Sequence, residues 1–156
     1  MPTVIREATE RDRFGLFKLA AAMHAETDFA CIRFDPVEAA LNLGNWIHHK
    51  DGLMLVAADG DDVIGMFAAT AKPPWFSDEE IASEDLLYVR ADRRGGPIAF
   101  RLLRGYLEWV DARGIRYGRA GIATGEPGRN AGRLYEHFGM HATGACYSFQ
   151  RESQER

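Results

Sequence analysis

The chain of 156 residues has only two cysteines, Cys31 and Cys146, and they lie far apart in the sequence. It has no Cys-x-x-Cys pair and no Cys/His cluster, so we expect no disulfide framework and no metal site. No run approaches the roughly 18 apolar residues of a membrane span, and residues 1–7 lack the apolar core of a signal peptide. The sequence therefore predicts a cytoplasmic protein with reduced thiols and no membrane partner.

Positive charge is also scarce, with 19 Lys and Arg against 23 Asp and Glu and a formal net charge of −4. Together with the lack of a basic stripe interleaved with aromatic residues, this argues against nucleic acid as a partner. Repeats, low-complexity tracts and linkers are absent, and the length suits a single folding unit. We expect one domain over residues 1–152 and a short tail at residues 153–156.

Strand and helix patterns alternate along the chain, with an early hairpin turn at Gly60-Asp61-Asp62. This order predicts an α/β fold in which a mixed sheet has helices on both faces. Strands are predicted at residues 3–8, 53–58, 63–71, 83–89, 119–124 and 141–151, and helices at residues 10–25, 36–48, 98–113 and 129–138.

A glycine pair, Gly95-Gly96, stands between the buried strand ending at residue 89 and the long helix that follows. Glycines let a ligand approach the backbone N–H groups, and a helix start offers unpaired donors and a positive dipole end. Five arginines and one acidic residue lie in residues 90–104, so the sequence predicts a site for a small polyanion. The alternative is an ordinary turn with a solvated basic helix face, since neither G-x-x-x-x-G-K-[ST] nor G-x-G-x-x-G occurs at this turn.

Two segments resemble the GNAT superfamily of N-acetyltransferases. Residues 89–99 are similar to its cofactor motif R/Q-x-x-G-x-G/A, in which Arg94 matches the first position and Ala99 the last. Pro97 replaces the central glycine and has no N–H to donate. Residues 134–140, Leu-Tyr-Glu-His-Phe-Gly-Met, resemble the family's L-Y-E-K-x-G-F segment. The family's upstream asparagine is replaced by glycine, and Asn130 lies two residues later.

The resemblance implies a GNAT-like central mixed, mostly antiparallel sheet and acetyl-CoA as the co-substrate. It assigns the pantetheine arm of the cofactor to the strand backbone and the phosphates to the glycine turn. The residues expected to contact the cofactor are Leu87, Tyr88, Val89, Arg94, Gly95, Gly96, Ile98, Ala99 and Asn130.

Acetyl transfer to an amine requires removal of a proton from the amine and a proton for the leaving thiolate. Tyr135 is the candidate acid by the family motif, with an ordinary phenol pKa of about 10. The alternative is a packing role beside Leu134 and Phe138. Glu84 is the candidate base, directly or through water, and the alternative is a solvated charge at a strand end. A base is unnecessary if the amine arrives neutral.

The acceptor side is less specified by the sequence. Trp75 and Phe76 precede three acidic residues and are predicted to form a wall for a cationic amine, with a mobile acidic loop as the alternative. Glu26, Asp28 and Asp35 lie in the link that flanks the acceptor cleft in the family.

We therefore expect an acetyl-CoA-dependent N-acetyltransferase acting on the primary amine of a small molecule or peptide. A non-catalytic CoA-binding or regulatory domain of the same fold and a module for another phosphorylated ligand remain alternatives. The sequence leaves the oligomeric state open, with a homodimer as one alternative.

Overall fold

The computed structural model describes residues 2–121 and 128–152, with the backbone alone at residues 128–130. The strands are β1 (Val4–Glu7), β2 (Gly52–Asp59), β3 (Asp62–Lys72), β4 (Ile81–Val89) and β5 (Gly118–Arg119). The helices are α1 (Arg13–Glu26), α2 (Pro36–His48), α3 (Ile98–Ala112) and α4 (Gly128–His137). Short 3₁₀ turns lie at Glu10–Asp12, Asp28–Cys31 and Ala91–Arg93.

The five strands form one sheet in the order β1-β2-β3-β4-β5. The first four strands pair antiparallel. The chain returns through α3 to β5, which pairs parallel with β4 at Ala82↔Gly118 and Ser83↔Arg119. A parallel neighbour requires a crossover of this kind. The prediction of a mixed, mostly antiparallel sheet is confirmed.

Both faces of the sheet are covered by helices, and β2 illustrates how the sequence achieves this. Leu53, Leu55 and Ala57 are buried in a cluster with residues of α3 and α4, whereas Met54 and Val56 are buried in a second cluster with residues of α1 and α2. Successive side chains of a strand point to opposite faces, so an apolar run without polar alternation fills two cores. Helices on both faces were predicted, and the structure confirms them.

A β-bulge interrupts the regular alternation in β4. Ala68 of β3 lies opposite Leu86, but the next residue of β3, Ala69, lies opposite Glu84, so Asp85 is the extra residue. An inserted residue changes which face the following side chains occupy. Glu84 therefore points towards α3 and α4, whereas Leu86 belongs to the core beneath α1 and α2. The sequence pattern did not predict this bulge.

The helix ends follow the expected local rules. The Asp35 carboxylate accepts hydrogen bonds from the backbone N–H groups of Val37 and Glu38, and Pro36 occupies the first turn of α2. Gly139 has φ +80 after α4, and the N–H of Met140 donates to the Tyr135 carbonyl. This glycine-terminated end fixes where α4 stops, close to the predicted boundary.

The strand predicted at residues 141–151 is wrong. This segment has no regular secondary structure and is exposed throughout, including Tyr147 and Phe149. A strand needs a hydrogen-bonded neighbour, and among the described residues none pairs with this segment. The strand predicted at residues 119–124 begins as the short β5, and residues 122–127 lie outside the described residues.

Candidate active site

Glu84 of β4 and Tyr135 of α4 form a partly buried contact, although 51 residues separate them in sequence. The Tyr135 hydroxyl lies 2.8 Å from Glu84 Oε2 and 3.0 Å from the carbonyl oxygen of Gly121. Tyr135 is only 9% exposed. The pairing of β4 with β5 ends at Ser83 and Arg119, so the hydroxyl lies where the two chain segments separate. The structure thus brings together the two residues predicted to be catalytic.

The environment of the pair changes its acid–base properties. Burial raises the pKa of the Glu84 carboxyl to about 7, although the hydrogen bonds from Tyr135 and from the Gly121 backbone oppose this shift. The charge of Asp85 contributes to the raised value. Burial and then the Glu84 charge hold the pKa of Tyr135 well above its usual value. Glu84 is therefore the member of the pair that changes its protonation near neutral pH.

The Tyr135 hydroxyl has one proton and two acceptors within hydrogen-bonding distance. When Glu84 is ionised, that proton satisfies the carboxylate. When Glu84 is protonated, its own O–H is able to donate to the phenol oxygen, and the phenol proton then goes to the Gly121 carbonyl. The geometry thus permits both protonation states of Glu84, with a chain of hydrogen bonds that reverses between them.

Tyr106 of α3 supports the same region and was not among the candidate site residues of the sequence analysis. Its side chain is fully buried, and its hydroxyl donates to the Arg119 carbonyl at 3.2 Å. Its ring packs 5.0 Å from that of Phe67. A buried tyrosine usually needs a partner for its hydroxyl, which is the signal that would have identified it. Tyr106 holds β5 where it leaves β4.

The glycine turn has room for a ligand next to its backbone. Gly95 has φ +83, a conformation that favours glycine, and a Cβ added at Gly95 or Gly96 would meet no atom within 4 Å. Pro97 immediately precedes α3. The side chain of Ile98 is buried, so its backbone N–H is the group that it can present to a ligand. The residues at this helix start therefore fit a phosphate group.

The arginines of residues 90–104, which predicted a polyanion site, are largely neutralised by acidic residues, most of them from elsewhere in the chain. Arg94 pairs with Glu26 at 2.6 Å, and Arg93 pairs with Asp59. A count of charges along residues 90–104 could not detect these partners, because they come from α1 and from the β2–β3 hairpin. The remaining pairs are Arg90 with Asp62 and Asp92, and Arg104 with Glu108 at 3.8 Å. Backbone donors, rather than net positive charge, are the main feature of the turn.

In the β4 residues predicted to contact the cofactor, the backbone rather than the side chain is available for binding. Tyr88 and Val89 are buried in the two opposite cores, and Leu87 packs against the core beneath α3. One edge of β4 pairs with β3 along its length, whereas pairing with β5 covers only Ala82 and Ser83. The other edge of β4 beyond Ser83 therefore has no partner among the described strands. The side chain of Asn130 lies outside the described residues.

The residues predicted for the acceptor side differ in exposure and in their contacts. Trp75 is 96% exposed, and its ring packs edge-on against Phe76 at 5.4 Å. Glu80 is used in an ion pair with Arg113 at 3.0 Å, so it does not form a wall with the aromatic pair. Asp35 caps α2, and Glu26 binds Arg94 and Tyr88. Trp75 and Phe76 remain the exposed aromatic surface of the β3–β4 loop.

Two properties hold for the part of the chain that the structure describes. None of its helices combines the length and the apolar character needed to cross a membrane. Within the same residues, no three His, Cys, Asp or Glu side chains are grouped so as to hold a metal ion.

Comparison with known proteins gives one family and several similar folds. Residues 19–140 match the Acetyltransferase (GNAT) family. A transcriptional regulator from Bacillus halodurans C-125 superposes with a TM-score of 0.77 at 21% identity, covering 96% of this chain and 100% of that one. A ribosomal-protein-alanine N-acetyltransferase from Brucella melitensis biovar Abortus 2308 gives 0.72 at 20%, covering 97% and 100%. An aminoglycoside antibiotic 6'-N-acetyltransferase from Acinetobacter haemolyticus gives 0.73 at 15%, covering 97% and 99%. No curated protein sequence matches the chain.

Proposed function

The chain belongs to the GNAT acetyltransferase family, and we propose that it transfers an acetyl group from acetyl-CoA to the primary amine of a small molecule or peptide. The observation that carries this proposal is the partly buried contact between Glu84 and Tyr135, at the place where β4 and β5 separate. The glycine turn follows at the end of the same strand β4. Strand β4 therefore links the proposed phosphate-binding turn to a pair of acid–base groups.

The backbone of this chain would hold the cofactor. The N–H groups of Gly95, Gly96, Ile98 and Ala99 are proposed to bind the phosphates, since added Cβ atoms at the two glycines would meet open space. The unpaired edge of β4 at residues 87–89 is proposed to hold the pantetheine arm, and Asn130 to contribute from α4. When bound, acetyl-CoA supplies the acetyl group as a thioester.

The Glu84 and Tyr135 side chains are proposed to provide a route for the proton. Glu84, with a pKa of about 7, is suited to accept the proton that the amine loses. Tyr135 is suited to donate its proton to the leaving sulfur and to regain one from Glu84, with which it already shares a hydrogen bond. A raised pKa makes Tyr135 alone a weak acid, so coupling to Glu84 is what makes the donation effective.

We propose that the amine approaches beside the β3–β4 loop, where Trp75 and Phe76 are exposed. Aromatic faces suit a cationic group. Two of the similar folds are named as N-acetyltransferases, of ribosomal-protein alanine and of aminoglycosides, so both peptide and small-molecule amines belong in the test panel. Both cysteines are free, which suits work in the reducing cytoplasm.

The test combines calorimetry with CoA and ATP and a thiol-release assay with acetyl-CoA over a panel of peptide and small-molecule amines. We expect CoA to bind more tightly than ATP, and at least one amine to accelerate thiol release. CoA binding without thiol release for any amine would favour a non-catalytic CoA-binding domain, which Pro97 and the paired arginines also suit. Equal affinity for CoA and ATP would favour a site for phosphorylated ligands in general.

A further inference from the structure

Glu26, the last residue of α1, contacts two residues on the cofactor side of the proposed site. Its Oε1 accepts a hydrogen bond from the Tyr88 hydroxyl at 2.7 Å, and its Oε2 accepts one from Arg94 Nη2 at 2.6 Å. We propose that Glu26 is a positioning residue that orders the glycine turn for binding the cofactor phosphates. This inference rests on the proposed function and assigns a role in cofactor binding to a residue of α1.

The Arg94 guanidinium is held on three sides. Its Nε donates to the Val89 carbonyl at 2.9 Å, Nη2 donates to Glu26, and the group lies 5.2 Å from the centre of the Tyr88 ring. A guanidinium has five N–H donors in a rigid plane. These contacts use Nε and Nη2 and fix the orientation of the plane. Among the described residues none accepts a hydrogen bond from Nη1, which we propose donates to a phosphate.

Fixing Arg94 also fixes the start of the turn, because Gly95 follows it directly with φ +83. An added Cβ at Gly95 would meet nothing within 4 Å, so the turn is open on that side. Glycine has the largest conformational freedom to lose on ordering. A contact that orders this turn before the ligand arrives removes part of the entropy cost of binding.

Removal of the Glu26 charge has opposite expected effects on cofactor affinity by simple electrostatics and by the positioning role. Removing a carboxylate near a polyanion site reduces repulsion and strengthens binding if nothing else changes. Loss of the contact that orders the turn weakens binding instead. Hydrogen bonding to Tyr88 holds the pKa of Glu26 below its usual value, so at neutral pH Glu26 carries this charge and the two effects compete directly. The sign of the change in affinity therefore distinguishes them.

The binding experiment is calorimetry of Glu26→Gln with CoA, ADP and pantetheine. We expect affinity for CoA and ADP to fall by about tenfold, as for loss of a charge-assisted hydrogen bond, and affinity for pantetheine, which lacks the pyrophosphate, to stay within about twofold. Tyr88→Phe removes one partner of Glu26 but keeps the ring beneath Arg94, and we expect a loss of about threefold. Glu108→Gln is the matched control, since it removes the same charge from an exposed residue of α3.

Hydrogen exchange of the ligand-free protein gives a second readout. We expect the amides of residues 93–96, 98 and 99 to exchange faster in Glu26→Gln than in the parent, while those of β2 and β3 stay unchanged. Unchanged or tighter binding of CoA by Glu26→Gln, equal weakening for pantetheine, or unchanged exchange in the turn would each overturn the inference. If the parent protein does not bind CoA, the proposed function fails, and with it the role of Glu26 in cofactor binding.

Discussion

Glu84→Gln tests the partly buried carboxyl without reference to any substrate. The folded-state pKa of Glu84 is about 7, against 4.5 for an unperturbed glutamate. Each pKa unit corresponds to about 1.4 kcal/mol, so ionisation of Glu84 costs the folded state about 3 kcal/mol at pH 8. Because this pKa is raised, the folded protein binds the proton more tightly than the unfolded chain does. Stability is therefore lost as the pH rises from about 4.5 to about 7 and changes little beyond.

Glutamine removes the ionisation but still offers an oxygen to the Tyr135 hydroxyl. We expect the variant to exceed the parent in free energy of unfolding by about 2–3 kcal/mol at pH 8 and by about 1 kcal/mol or less at pH 5. Urea denaturation followed by tryptophan fluorescence at several pH values measures this difference. Glu136→Gln, which removes an exposed carboxylate of α4, is the control and should give no comparable trend. A stability difference independent of pH, or a variant less stable than the parent at pH 8, would refute the reasoning.

Three further predictions concern binding and turnover. Gly96→Leu places a side chain in the open space of the turn. Calorimetry should then show CoA binding that is weaker by about tenfold or more, while the melting temperature stays unchanged. Unchanged affinity would exclude the turn as the phosphate site. Tyr135→Phe should lower kcat by about 10²–10⁴-fold with little change in CoA affinity, whereas Tyr106→Phe should change kcat much less. Turnover of Tyr135→Phe within a few-fold of the parent would leave only a packing role. Trp75→Ala should raise the KM for the amine and spare CoA binding, with Phe14→Ala as an exposed aromatic control, and an equal loss for both ligands would indicate a structural role.

Local signals in the sequence were sufficient for most of the fold. Asp35-Pro36 and Gly139 mark the start of α2 and the end of α4, because caps and left-handed glycines act within a few residues. The two-sided burial of β2 could also be predicted from its unbroken apolar run. The strand expected at residues 141–151 failed because strand formation depends on a pairing partner, which is not a property of the segment itself.

The candidate site was predictable as a set of residues but not as a geometry. The motif containing Tyr135 and the position of Glu84 before the glycine turn were visible in the sequence, yet nothing local indicated their contact at 2.8 Å. That contact depends on the bulge at Asp85, which determines the face that Glu84 occupies relative to Leu86. The ion pair of Arg94 with Glu26 joins residues 68 apart, and a charge count over a short window cannot include such a partner.

The stability that the fold loses when Glu84 ionises bears on the role of this residue. A stable domain has a free energy of unfolding of only about 5–15 kcal/mol, so about 3 kcal/mol at pH 8 is a large fraction of that margin. Packing alone does not require a carboxyl at this position, because a glutamine of the same shape would still accept a hydrogen bond from Tyr135 without the ionisation. Residues that reduce stability in this way are concentrated where their chemistry is used. The same burial that makes Glu84 costly brings its pKa to about 7, the value that lets a carboxyl both accept and return a proton near neutral pH.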